Sequence, residues 1–111
     1  MNAIPKPLTR DGRSALMRQQ RRETILAAAV LIAQRLGWGS LTRDLVAVQA
    51  GVATGSVNHE FGTMDALRDA VMADAVKHKH LRVLAAGLVE GHPIAKAAPL
   101  ELRQEAETFL T

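Results

Sequence analysis

The sequence predicts an all-α fold, and three observations carry that reading. Aromatic residues make up only 3% of the 111 residues while apolar residues reach 48%, so the core has to be built from Leu, Val, Ile and Ala. That composition suits helices and disfavours a β-sandwich, where aromatic and β-branched runs are expected. Apolar residues also recur at i, i+3, i+4 and i+7 rather than in alternation, and the periodic stretches are punctuated by Gly37, Gly51, Gly62 and the Gly91-His92-Pro93 run. The length fits one domain, or one domain with a small extension, and a modest core.

Taken in order, residues 1–12 hold Pro5, Pro7 and Gly12, show no periodicity and read as a flexible basic arm. A first helix is expected to begin between Arg13 and Arg21 and to end at Leu36. Ile25, Ala29, Ile32, Ala33 and Leu36 form its stripe, widened by Leu26 and Val30. Gly37 stops it as a left-handed cap, and Trp38 packs over its end. Thr42 caps a second helix through its hydroxyl, with Val46, Ala47 and Ala50 on one face. Gly51 makes the turn, Val52 plugs the junction, and Ala53 to Phe61 form a third short helix closed by Gly62. Thr63 caps a fourth helix with Asp65 in its first turn and Leu67, Ala70, Val71 and Ala75 toward the core.

The fourth helix is expected to run to somewhere between Lys77 and Glu90, and the sequence leaves open whether Lys77 to His80 bends it. Its second half repeats the pattern with Leu81, Leu84, Ala85 and Leu88. A last helix starts near Pro99, which suits a first helical position, and carries Leu102, Ala106, Phe109 and Leu110. These last two stripes must bury against each other, against the first helix or against a second copy. Leu81, Leu84, Leu88, Leu102, Ala106, Phe109 and Leu110 are therefore the candidate dimer interface.

The stretch Leu41 to Phe61, LTRDLVAVQAGVATGSVNHEF, has the spacing of a helix-turn-helix: small Ala47, Gly51 four positions on, then apolar Val52. In that motif the second helix lies in the major groove of DNA. The segment and its flanks resemble the DNA-binding domain of the TetR family of transcriptional regulators. The matching residues are Ile25-Leu26-Ala27-Ala28-Ala29, Leu31, Gly37, Leu41-Thr42, Val46-Ala47, Ala50-Gly51-Val52 and Gly55-Ser56-Val57, followed by His59, Phe61-Gly62-Thr63 and Asp65-Ala66-Leu67. The resemblance runs in register over residues 21–75; any one piece is weak, and the series at these spacings is specific. It implies a domain over residues 13–76 that binds double-stranded DNA. Residues 77–111 are then a short helical dimerisation region.

A recognition helix needs short polar side chains where it meets the groove, and Thr54, Gly55, Ser56, Asn58 and His59 supply them. Thr42 and Arg43 start the second helix, whose N–H groups suit a phosphate; Arg43 is also the best candidate for a bidentate guanine contact. Arg10, Arg13, Arg18, Arg21 and Arg22 are candidates for the DNA backbone, because they crowd the basic head of a chain of net charge +3 whose tail is acidic. The sequence departs from the family at four places. Asn58 stands for the usual Tyr, Met64 for a backbone-contacting Lys, Ala53 for a hydroxyl cap, and Glu60 brings a negative charge close to phosphates.

Other function classes are weaker. There is no cysteine, which excludes disulfides and thiol catalysis. His59-Glu60 fails as a metalloprotease motif because Thr63 stands where the second His belongs. His78 and His80 are two apart and a regular helix cannot bring them to one metal; they read as solvated or interfacial, and His92 as a turn filler. No metal, cofactor or catalysis is expected. No apolar run spans a membrane and the N-terminus is not a secretory signal; the resemblance implies a bacterial cytoplasmic protein that joins the nucleoid when bound. The expectation is a homodimeric repressor on a palindromic operator. Its tail is too short to enclose an inducer, an economy that suits a plasmid or phage. The alternative is a protein-binding antagonist that dimerises with another regulator and has little DNA affinity.

Overall fold

Ile25, Ala29, Ile32 and Ala33 sit on one side of α1 (Arg10–Arg35), and all four are buried. The computed structural model describes residues 10–110, with side chains from residue 15 onward. α1 begins earlier than expected: residues 10–12, read as arm, are helical, and Gly12 does not interrupt them. Residues 1–9 of the arm lie outside the described residues. The helix ends one residue early as well. Leu36, expected in the buried stripe, follows the last helical residue and is 61% exposed. Gly37 takes φ 104°, outside helical space, and the Ser40 hydroxyl donates back to the Leu36 carbonyl at 3.0 Å.

A single 3-10 turn, Trp38–Ser40, leads to α2 (Arg43–Ala50). The Thr42 hydroxyl accepts from the Leu45 amide at 3.3 Å, and Gly51 closes α2 in the left-handed region at φ 70°, ψ 34°. α3 (Thr54–Phe61) has no side-chain cap at Ala53, as its methyl side chain dictates, and buries Val57 and Phe61. α4 (Met64–His78) is capped by Thr63, whose hydroxyl accepts from the Ala66 amide at 3.0 Å. Leu67, Val71, Met72 and Ala75 are fully buried along it.

The open question at residues 77–80 has a definite answer. Lys79 adopts the left-handed conformation at φ 59°, ψ 47° and ends the helix. α5 (Leu81–Glu90) then starts in a new direction, with His80 as its first flanking residue. His80 fixes the corner: Gln34 Nε2 lies 2.8 Å from its Nδ1, and Asp74 Oδ2 lies 3.2 Å from its Nε2. A carboxylate can only accept, so Nε2 carries the proton and Nδ1 accepts from the Gln34 amide. His78 also turns to Asp74, at 3.6 Å. The expectation that His78 and His80 could not converge assumed a regular helix; the break at Lys79 removes that assumption, and the two rings lie 6.0 Å apart.

α6 (Pro93–Lys96) is a short helix the sequence reading did not foresee. His92 is more than a turn filler. Its Nδ1 accepts from the Ile94 amide at 3.2 Å, and its Nε2–H donates to Asp69 on α4 at 3.0 Å. α7 (Leu100–Glu107) follows Pro99, and a 3-10 turn, Thr108–Leu110, ends the described chain.

α5 and α7 pack on each other, and α6 packs on α4 and α5. Gly87 makes this layer close: a Cβ there would lie 2.9 Å from Ala95 Cβ and closer still to Met72. The buried set from Ile25 through Leu67 to Ala106 is one continuous cluster. This corrects the expected dimer interface. Leu84, Leu102 and Ala106 are buried inside the chain and have no surface to offer a second copy. Leu81 and Leu88 are half-buried against the same core. Only Phe109 and Leu110 of the expected set remain about half exposed, at 47% and 48%. Among the described residues no strand occurs, and no helix is long and apolar enough to cross a membrane.

Candidate nucleic-acid interface

Val57 and Phe61 of α3, four apart, are buried in the core. Gly55 and His59, also four apart, are exposed on the far side of the helix, and Thr54 in its first turn and Asn58 on its flank are exposed as well. Ser56 is half-buried beside them. Hydroxyl, amide and imidazole side chains of this kind can hydrogen-bond base edges or phosphates in a major groove. At Gly55 a Cβ would meet nothing within 4 Å, so any close approach it permits is to something outside the chain.

The start of α2 lies at the edge of this face. Thr42 is exposed, but its hydroxyl is already engaged by the Leu45 amide. Arg43 is half-buried, and its Nε is enclosed without a hydrogen-bond partner. An enclosed, unpaired guanidinium N–H costs about 1–3 kcal/mol.

The basic residues of α1 divide into two groups. Arg18, Arg21 and Arg22 precede Ile25 by seven, four and three positions, so they continue the core-facing stripe past the edge of the core. There Arg21 and Arg22 meet the end of α3. The Arg22 guanidinium donates to the Glu60 carbonyl at 2.8 Å and lies over the Phe61 ring at 4.1 Å. Arg21 pairs with the Glu60 carboxylate at 3.7 Å. Arg21 and Arg22 therefore brace α3 against α1 while both remain exposed, so these two candidates for the DNA backbone are already engaged with Glu60. Arg18 is exposed, and no ion pair to it occurs among the described residues. The side chains of Arg10 and Arg13 lie outside the described residues. Glu60 is also placed differently from expectation. It is turned inward, 8% exposed, rather than standing free before phosphates.

This geometry fits a helix-turn-helix whose second helix is presented outward and braced from behind. Residues 25–71 match the family described as Bacterial regulatory proteins, tetR family. The chain carries a TetR-family N-terminal domain. No curated protein and no solved structure matches the chain. The TetR-type match begins at Ile25, the first fully buried residue of α1 among the described side chains, and ends at Val71 within α4. It spans α2, α3 and the parts of α1 and α4 that grip them. The family is one of regulators, so the chain is a DNA-binding transcription regulator in general terms.

Sequence reading missed two contributions to this TetR-type unit. Glu60 lies three residues after buried Val57, on the flank of α3 that faces α1, and that spacing was a usable signal for its inward turn. Trp38 was expected over the end of α1, and it is buried there. Its further role is long-range: its indole N–H donates to Glu90, and its ring meets the His92 ring edge-on at 5.8 Å. Nothing local in the sequence signals those partners.

Proposed function

We propose that this chain is a repressor that binds a palindromic operator as a homodimer and acts by occupying promoter DNA. The observation that supports this best is the exposure of Thr54, Gly55, Asn58 and His59 on a helix anchored in the core by Val57 and Phe61. Asn58 and His59 would read base edges, Thr54 and Ser56 would bond phosphates or edges, and Arg43, with Thr42 at the head of α2, would reach a phosphate or a guanine. Two copies would place their α3 helices in successive major grooves about 34 Å apart.

The homodimer surface is best supported at the exposed apolar residues of the C-terminal layer. Val89 is 71% exposed on α5, and Phe109 and Leu110 lie beside α5 in the final turn. Arg82 reaches over the Phe109 ring at 5.7 Å. The exposed cations Lys77, Lys79 and Arg82 lie around the turn into α5, while α7 exposes Glu101, Glu105 and Glu107. A two-fold axis through the apolar patch would set one group against the other.

Selection of duplexes from a random library tests the reading. A pair of inverted half-sites one helical turn apart is the expected result. Asn58→Ala should relax selection at one base position and cost about 1–3 kcal/mol there. Recovery of no sequence above background would reject the repressor reading. It would favour a second reading, a module that pairs with another regulator, which has its own support. Val48 on α2 and Leu36 after α1 are 80% and 61% exposed, an apolar outer surface that DNA contact does not use.

A further inference from the structure

Glu60 is poorly placed for stability. It sits in the last turn of α3, where the helix dipole disfavours a negative charge. Its side chain is 8% exposed, and its Oε1 is enclosed with no hydrogen-bond partner. Among the described residues its one ion pair is to Arg21 Nη1, 3.7 Å away and too long for a hydrogen bond. Burying a carboxylate for one long pair is a net cost or near neutral, so a neutral side chain of the same size would serve the fold as well. Meanwhile Arg21 remains 42% exposed, with its charge offset by that carboxylate.

We propose that Glu60 sets the strength of sequence-independent DNA binding by holding Arg21 away from phosphate. The inference rests on the DNA-binding reading above and extends it to a residue that touches no base. The major groove is about 12 Å wide and a helix with its side chains about 10–12 Å across, so the phosphate walls lie against the flanks of an inserted helix. An arginine beside the end of α3 is within reach of such a wall. Freed of Glu60, Arg21 would neutralise one phosphate and steepen the logarithmic salt dependence by about 0.9. That is about an eightfold gain at 0.1 M salt, fading toward 1 M, and equal for every duplex. With Glu60 in place the protein forgoes this gain, and a larger share of its affinity comes from the exposed face of α3.

The test is a salt titration of the full chain on two probes, a mixed-sequence duplex and the duplex the wild-type protein selects from a random library. Glu60→Gln should bind both about eightfold more tightly at 0.1 M salt, with a slope steeper by about 0.9. Arg21→Gln alone should leave the slope unchanged, and in the Glu60→Gln background it should abolish the gain. Several results would overturn the proposal. One is Glu60→Gln losing affinity and melting temperature together with no change in slope, which marks a purely structural brace. Another is Arg21→Gln alone flattening the slope by about 0.9, which shows Arg21 already on phosphate; this arm stands even if Glu60→Gln fails to fold. Wild-type protein that binds but shares its slope with Glu60→Gln removes the proposal and leaves the DNA-binding reading intact. Wild-type protein that binds neither probe removes both.

Discussion

Two backbone positions show how much a single residue controls. Lys79 sits in left-handed space without being glycine, a conformation that costs an L-residue about 1–2 kcal/mol. Lys79→Gly should therefore stabilise the protein, by about 0.5–1 kcal/mol once the extra freedom of glycine in the unfolded chain is deducted. Chemical denaturation with an unchanged m-value checks it. Gly87 is the reverse case. Its φ needs no glycine, but a Cβ would collide with buried Met72 and with the methyl of Ala95. Gly87→Ala should cost about 1–3 kcal/mol as an overpacked contact, and thermal melting would register it. Neither position was legible beforehand. The choice at Lys79 depends on His80 finding Gln34 and Asp74, and the need for Gly87 depends on a helix, α6, that lies across it only in the folded chain.

At the scale of elements, legibility followed locality. Thr42 and Thr63 cap α2 and α4 as their positions imply, because a cap is a contract between residues three apart. Thr63→Ala should cost about 1 kcal/mol by denaturant titration, and it touches nothing assigned to DNA. Gly37, Gly51 and Gly62 end their helices for an equally local reason, the positive φ each adopts. The start of α1 was misjudged because Gly12 lowers helix propensity by only about 1 kcal/mol relative to Ala, too little to forbid a helix that continues on both sides. α6 was missed because a four-residue helix has no period to detect. The polar side chains that α3 exposes, Asn58 and His59 among them, were readable from the local sequence. The fate of Arg21 and Arg22 was not, since their partner is on another helix nearly forty positions away.

For the whole molecule, one core unites the TetR-type unit with the C-terminal layer, so a lesion in either should be felt in both. The periodic stripes of α5 and α7 announced burial but not its address. They satisfy each other, and Val89, Phe109 and Leu110 remain exposed beside them as the surface proposed for a second copy. Phe109→Glu should weaken the homodimer by more than about tenfold, because a desolvated charge enters a two-fold interface twice. Sedimentation would show the monomer, with the melting temperature of the isolated chain little changed. Trp38 gives this architecture an optical consequence. It is the one tryptophan of the sequence, and it stands between the turn that launches α2 and the Glu90 and His92 side chains of the opposite layer. Its fluorescence therefore reports on that seam alone. If the two parts melt as one, emission and far-ultraviolet ellipticity should trace the same curve. A spectral shift that runs ahead of helix loss would reveal the seam opening first, and titrating duplex into the same cuvette would show whether DNA holds it shut.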